Sequence, residues 1–390
     1  MKVLHVVPSY LPAYRYGGPI LSVHSMNKWL VRVGVEVTVY TTNVDGRGTL
    51  NVPLVREVLM DGVKVWYFPV SFPRAWTYSR ELHRALNKNV GNFDVVHITS
   101  VFLAASTLGA RAAMRRKKPY IISPRGSLMK EPLARKSAWK KKIYLSLIER
   151  KNLAGAAAIH FTSDAEREEY VSAGFPLKQA VVIPNGLDAE AWPAAVRGEF
   201  RSRWNIAPDR RIVLAMGRVG WKKGFDTLIP AFARVVQKEP RALLVISGAD
   251  DEGYKKNVQL LISNYQLQKN IIFTGAFEGV DAPALADADV FTLPSYSENF
   301  GMAVVQAMYA GVPVVITKGV ALSREVDRTG AGLVVEKNEA AVAQAILTVL
   351  GNRQAAQEMG MKGKEFAQTL LAPKVARAFT EAYSELAHLT

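Results

Sequence analysis

The chain contains no cysteine, which excludes disulfides, thiolate metal sites and a cysteine nucleophile and fits a reducing compartment. No stretch approaches the roughly 18 apolar residues of a membrane-spanning helix, and the apolar run at Val3 to Val7 is too short for a signal peptide. A cytoplasmic, non-spanning protein is the expectation. Acidic residues are scarce: 34 Asp and Glu stand against 50 Lys and Arg, a net charge of +16. The shortage is uneven. Residues 1–190 hold 27 Lys and Arg against 14 acids, whereas 191–390 hold 23 against 20. The attraction for anionic partners, whether nucleic acid, anionic lipid or a diphosphate-linked substrate, is therefore concentrated in the first half. No low-complexity tract interrupts a composition that is 49% hydrophobic.

At 390 residues the chain exceeds the size at which one core stops growing, so two domains are expected. Short Val/Ile/Tyr-rich runs at 2–7, 35–42, 63–69, 94–99, 119–123, 157–162 and 180–184 read as strands, with helix-length segments at 19–33, 79–90, 102–116, 134–153 and 164–173 between them. A second series runs through 211–216, 241–248, 270–275, 288–293, 312–317 and 332–336. This alternation predicts two Rossmann-like domains, each a parallel sheet covered on both faces. Ligands of such sheets sit beyond the carboxyl ends of the strands, so a cleft between facing domains is expected. The join falls at the turn-rich Ile183–Asp188, giving domains of 1–186 and 187–371 and a terminal segment of 372–390.

The most informative stretch is Ser295–Pro313. It follows a buried-strand signal, Asp289–Pro294, and enters an Ala/Met/Val-rich helix over about 300–310. Glu298 thus lies in a strand-to-helix turn, where unpaired amides and the positive end of the helix dipole suit an anion. A carboxylate pointing at phosphate would repel it, so Glu298 is read as accepting from hydroxyls beside the phosphate. Hydroxyls next to phosphate suggest a sugar nucleotide. The passage resembles the Glu-x7-Glu segment of retaining glycosyltransferases of family 4, which have the GT-B fold. The resemblance implies that Glu298 contacts the transferred sugar and that the amides of Phe300, Gly301 and Met302 hold the diphosphate. The second family acid binds the ribose, and here that position is Gln306.

Further segments extend the resemblance over nearly the whole chain. Arg218 and Lys223, in a glycine-bearing loop after the strand at 211–216, can clamp a diphosphate, and the family pattern gives them the leaving phosphates. Gly17 and Gly18 lie between the first strand and a helix with Pro19 in its first turn; the resemblance places this loop against the donor phosphates. His97 ends a strand where the family often places an acceptor-side histidine. Arg125, in a Ser-Pro-Arg-Gly pattern like that of a bacterial subgroup of the family, cannot act as a base and suits charge stabilisation or an acceptor phosphate. Glu325 matches an acid near the donor ribose or sugar. The other histidines, His5, His24, His83, His160 and His388, read as core or surface residues. Asp287 and Asp289 imitate a metal-binding Asp-x-Asp but read as structural, so no metal or other cofactor is expected beyond the nucleotide-diphosphate sugar. The segment 183–188 resembles the family's linker, and the helix expected over 372–388 would cross back onto the first domain.

The implied activity is a metal-independent, retaining transfer of a sugar to a cell-envelope or exopolysaccharide acceptor, lipid-linked in one version. No carboxylate pair stands out for double displacement, so front-face attack is expected, with a leaving phosphate oxygen taking the acceptor's proton. The helix at 134–151 is basic at first, with Lys140, Lys141 and Lys142, then aromatic and aliphatic. It can lie on an anionic membrane with Trp139, Tyr144 and Leu145 towards the acyl boundary. Rival readings are an inactive sugar-nucleotide binder, suggested by Gln306, and a nucleotide-sugar epimerase, disfavoured by a second domain without histidine. Nucleic-acid binding has charge but no motif behind it.

Overall fold

The computed structural model describes residues 1–134, 138–192, 195–250, 253–277 and 280–388. Positions 135–137 of the expected basic helix and 389–390 of the terminal segment lie outside the described residues. The chain divides into two compact units, 1–186 with 372–390, and 187–371.

Unit 1 is built on strands β1 (Lys2–Val7), β2 (Glu36–Thr42), β5 (Glu57–Met60), β6 (Val63–Phe68), β7 (Val95–Thr99), β8 (Tyr120–Ser123), β9 (Ala158–Phe161) and β10 (Ala180–Val182), in the order β10-β9-β8-β7-β1-β2-β6-β5. β7, β8 and β9 are buried along their whole length, as expected of strands covered on both faces. One expectation needs correction: the sheet is not wholly parallel, because edge strand β5 pairs antiparallel with β6. The two are joined by Asp61 and Gly62, both at positive φ, a turn that reverses the chain without a crossover helix. A small hairpin of β3 (Val44–Asp45) and β4 (Gly48–Thr49) also follows β2.

The helix expected over 134–153 is interrupted. Lys130–Ala134 and Ala138–Tyr144 are followed by a π-helical turn, Leu145–Glu149, and then Arg150–Gly155. The wider turn lets Tyr144 and Glu149 both reach inward, Tyr144 to the Thr107 hydroxyl at 2.7 Å and Glu149 to accept from the Phe102 amide at 3.3 Å. Residues five apart on a regular α-helix do not share a face.

The terminal helix Ala372–Ala387 packs Val375, Phe379, Tyr383 and Leu386 into the apolar cluster of unit 1 with Val3, Ile20 and Val23. Gly186 permits the approach, since a Cβ there would lie 2.9 Å from the Ala372 Cα. Beneath this helix runs a buried polar chain. His97 hydrogen-bonds Tyr383 at 2.5 Å and Ser123 at 2.6 Å, Ser123 bonds His160 at 2.6 Å, and His160 bonds the Ile183 carbonyl at 2.8 Å. His5 stacks on His97 with ring centroids 4.4 Å apart and bonds Asn27 and Thr99.

Unit 2 carries β11 (Arg211–Met216), β12 (Ala242–Ser247), β13 (Ile271–Gly275), β14 (Val290–Leu293), β15 (Val314–Thr317) and β16 (Gly332–Val335), all parallel, in the order β13-β12-β11-β14-β15-β16. Capping side chains start several of its helices: Asp281 accepts from the Ala284 amide, Asn338 from Ala341 and Asn352 from Ala355, supplying acceptors to otherwise unpaired first-turn amides. One apolar cluster lies on each face of the sheet, with Phe291 and Val304 in one and Phe232 and Val290 in the other.

Burial pushes His5 and His160 down to about 3 and His97 well below its ordinary value, with the neighbouring histidines and Arg125 adding to the effect. Because the unfolded chain takes up these protons near pH 6.5 and the folded one resists until far lower, the stability they confer is present above pH 6.5 and lost as pH falls towards 3. Each depressed histidine steepens that loss by up to about 1.4 kcal/mol per pH unit. Thermal denaturation followed from pH 8 to pH 4 should show the fall beginning near 6.5. A flat profile down to pH 5 would contradict it.

Candidate active site

In unit 2 the carboxyl ends of β11, β14 and β15 deliver three loops to one place. After β11 the chain turns at Gly217 and closes a 3-10 turn, Trp221–Lys223, which ends at Gly224 with φ +71°. Glycine is required there twice over: the conformation is left-handed, and a Cβ would lie 2.0 Å from the Pro294 carbonyl oxygen. The close approach locks this loop to the one after β14, where the Tyr296 amide donates to the Lys222 carbonyl at 2.9 Å. The loop after β15 is tied in by backbone bonds to Glu298 itself. Its amide donates to Gly319 at 2.8 Å and its carbonyl accepts from Ala321 at 3.1 Å. Lys223 Nζ then meets Glu298 Oε1 at 2.6 Å, each side chain about one-fifth exposed. The Ser295 hydroxyl reaches the same oxygen at 3.4 Å.

The expected helix begins at Met302 and runs to Tyr309. Phe300 is anchored in the core and Gly301, at φ +92°, turns the chain into the helix. The amides of Phe300, Gly301, Met302 and Ala303 donate to no acceptor among the described residues, so the site presents a row of unpaired donors close in sequence to Glu298. Along this helix Val304, Val305, Ala307 and Met308 are buried, while Met302, Ala303 and Gln306 are half-buried. Gln306 therefore shares a face with the unpaired end, one turn on, and its amide has no partner among the described residues. Glu325 is in the first turn of Ser323–Thr329, just beyond Ala321, and its Oε2 is buried without a hydrogen bond. Arg218 is exposed and makes no ion pair among the described residues.

The unit 1 residues divide. Gly17, at φ +70°, caps the helix Gly18–Arg32, and Gly18 is exposed at its start. Arg125 sits at φ +54° and donates to the Asn185 side chain. Its turn is held by Glu166, which accepts from the amides of Gly126 at 2.5 Å and Thr162 at 2.9 Å. The Arg125 Nε is buried without a partner, and burial lowers the guanidinium to about 10. Asn185 and Glu166 were not singled out by sequence. Asn185 lies in the 183–188 segment that resembles the family's linker, where nothing local marks it as the partner of Arg125. His97 corrects the sequence expectation: it is fully buried with both ring nitrogens occupied, so it organises the core rather than facing an acceptor.

Two family models match the chain: "Glycosyl transferase 4-like domain" over residues 17–186 and "Glycosyl transferases group 1" over 196–366. Among curated relatives, a GDP-mannose-dependent alpha-(1-6)-phosphatidylinositol monomannoside mannosyltransferase of Mycobacterium tuberculosis is 30% identical over 224 residues, 54% of this chain and 57% of the relative. The chain thus spans little more than half the length of that relative. An uncharacterised glycosyltransferase of Methanocaldococcus jannaschii is 26% identical over 90% of each chain. Among solved structures, a sucrose-phosphate synthase from Thermosynechococcus elongatus superposes with a TM-score of 0.78 at 22% identity, covering 100% of this chain and 99% of that one. The Anabaena protein HepE, solved with UDP and glucose, gives 0.79 at 20% identity, covering 99% and 100%. The chain belongs with the glycosyltransferases of GT-B fold, family-4-like in both halves.

Asp287 and Asp289 are committed elsewhere. Asp287 accepts from the Gly198 and Arg201 amides at 2.6 and 3.0 Å, and Asp289 accepts from the Ile212 amide at 2.7 Å and pairs with Arg211 at 3.3 Å. They line an open groove of about 730 Å³ at the amino ends of the unit 2 strands. Several arginines of that groove are likewise spent on carbonyls, Arg210 on Ala242 and Arg211 on Leu350. The Lys223 loop, by contrast, places its lysine on Glu298, two positions before the unpaired amides that begin at Phe300. Because Gly224 sets its position, Gly224→Ala should destabilise unit 2 by at least about 1–2 kcal/mol from the left-handed conformation alone, measurable by urea denaturation. Wild-type stability in this variant would show that the turn is not fixed by the Pro294 contact.

Proposed function

We propose that the chain is a metal-independent, retaining glycosyltransferase that moves a sugar from a nucleoside-diphosphate donor to a cell-envelope or exopolysaccharide acceptor. The observation that carries the reading is the Glu298 carboxylate, fixed 2.6 Å from Lys223 beside a helix start with unpaired amides. Such a site can hold an anion and hydroxyls together. In this reading the diphosphate lies on the amides of Phe300, Gly301 and Met302, with Arg218 and Lys223 taking up leaving-group charge as the glycosidic bond breaks. As Lys223 turns to phosphate, Glu298 is released to accept from sugar hydroxyls. Glu325, with its unsatisfied oxygen, accepts from a donor hydroxyl, and Gln306 holds the ribose diol through one acceptor and one donor. A leaving phosphate oxygen takes the acceptor's proton on the face the leaving group departs from, and configuration is retained. Arg125 contributes charge stabilisation on the acceptor side. The names of the relatives, with GDP-mannose in one case and bound UDP in another, are consistent with a donor of this class.

Arg218→Ala or Lys223→Ala should lower turnover by orders of magnitude, EDTA should leave transfer intact, and Glu298→Ala should nearly abolish it. Gln306→Glu should tighten donor binding, because charge-assisted bonds to the diol are about twice as strong as neutral ones. Isothermal titration with a panel of nucleotide sugars and turnover of a radiolabelled donor test all four. Loss of transfer in EDTA restored by Mg²⁺, or full activity in Glu298→Ala, overturns the assignment.

No helix among the described residues is long and apolar enough to cross a membrane. We infer peripheral attachment to an anionic membrane surface through Ala138–Glu149. Its exposed apolar side chains are Trp139, Ile143 and Leu147, at 64%, 50% and 65% exposure, four residues apart and flanked by exposed Lys140 and Lys142. Tyr144 and Leu145, expected at the acyl boundary, instead face the core. The protein should sediment with acidic but not neutral vesicles and release as salt rises. Neutralising Lys140 and Lys142 should weaken binding by about 1 kcal/mol per charge, and equal binding to both vesicle types would exclude this attachment.

A further inference from the structure

Three loops leave the carboxyl ends of adjacent parallel strands of unit 1: 8–17 after β1, 43–56 after β2 and 69–79 after β6. They are fastened to one another rather than left independent. The Gly46 amide donates to the Tyr16 hydroxyl at 2.8 Å, Arg15 pairs with Asp45 at 3.4 Å, and the Val70 amide donates to the Asn43 side chain at 2.9 Å. Arg74 donates through one nitrogen to the Arg47 carbonyl at 2.8 Å. Across this fastened surface stand exposed aromatic rings: Tyr14 at 44%, Trp76 at 45% and Phe72 at 93%. Trp76 is held by its ring, which stacks on Tyr78 with centroids 6.2 Å apart, so it presents an exposed plate in a set position.

The charge of the three loops is one-sided. They contain four arginines, Arg15, Arg47, Arg56 and Arg74, and a single acid, Asp45, which Arg15 already neutralises. The Arg47 guanidinium is exposed and has no partner among the described residues. Aromatic plates suit the apolar faces of sugar rings, and guanidinium forks bind carboxylate or phosphate in bidentate fashion. A lipid tail would be served by the rings and not by the arginines between them.

We propose that this three-loop surface is the acceptor site and that the acceptor is an anionic saccharide, its rings on Trp76 and Tyr14 and its acid group on Arg47 and Arg74. The proposal rests on the glycosyltransferase reading and names the acceptor class for it. The chemistry the arginines recognise, a charged oxygen group on a sugar, occurs in uronic acids and in sugar phosphates. Neutral oligosaccharides lack it.

Direct binding tests this without turnover. Wild-type protein is titrated with uronate-bearing, phosphorylated and neutral oligosaccharides of equal length, and donor-nucleotide binding is measured on the same samples. One or both anionic sets should bind at least tenfold more tightly than the neutral set, the stronger of the two identifying the acid group. Arg47→Gln with Arg74→Gln should abolish that preference, and Trp76→Ala should weaken all three sets, while thermal unfolding and nucleotide binding stay as in wild type. Equal affinity for neutral and anionic sets, a preference that survives the double arginine change, or binding only to lipid vesicles through Phe72 would overturn it. Failure of nucleotide binding alone would overturn the donor reading and leave the saccharide result to stand or fall by its own titration.

Discussion

The ion pair between Lys223 and Glu298 sets the character of unit 2. Two opposite charges, each mostly removed from water, are expensive to hold together unless the framework positions both without further reorganisation. The framework here is backbone. Gly224 lies against the Pro294 carbonyl, Gly319 against Tyr296, and Gly248 against Gly217, each so closely that a Cβ would fall 2.0 to 2.4 Å from a carbonyl oxygen. These contacts fix the loops after β11, β12, β14 and β15 relative to one another before any ligand arrives. In the proposed donor site an arriving anion competes with Glu298 Oε1 for Lys223, so that one lysine answers to both the phosphate and the carboxylate.

Unit 1 solves a different electrostatic problem. Arg125 keeps its charge in a buried setting, and His5, His97 and His160 lie close enough for that charge to disfavour their protonation. Neutral histidines can each donate and accept once, which suits a chain that must satisfy Ser123, Tyr383, Thr99 and a backbone carbonyl in turn. Asn185 and Glu166 then hold Arg125 from the other side. The network also explains why the final helix belongs to this unit, since Tyr383 supplies the partner that His97 would otherwise lack.

The strands were legible because buried parallel strands are continuous Val/Ile runs, and the donor loops because their glycines and charges are close in sequence. What was not legible depended on distant partners. His97 looks like a cleft histidine until Tyr383, 286 positions away, occupies one of its nitrogens. Tyr144 looks membrane-facing beside Trp139, yet it lies five positions on along a regular α-helix and so on another face, which leaves Trp139, Ile143 and Leu147, four apart, as the exposed set. Strand β5 has no place in a pattern judged by strand–helix alternation, because it is a four-residue edge strand paired antiparallel with β6. Asn185 was visible as a turn residue and invisible as the ligand of Arg125.

The neutral residue at position 306 has a place in this electrostatic scheme. In the proposed donor site Arg218 and Lys223 balance Glu298 and Glu325, so the empty site is neutral and a diphosphate adds the charge that the unpaired amides and the freed lysine absorb. A carboxylate at 306 would make the sum negative before the donor binds and would repel the diphosphate. That repulsion acts across the length of a ribose and is weakened by the solvent that reaches a half-exposed helix face, whereas the bonds from the diol to a carboxylate act at contact distance and gain in full from its charge. The contact term is the larger, so Gln306 lowers the grip on the ribose more than it eases the approach of the phosphates. In that reading, donor recognition falls more heavily on the Lys223–Glu298 pair than it would in a site with two acids.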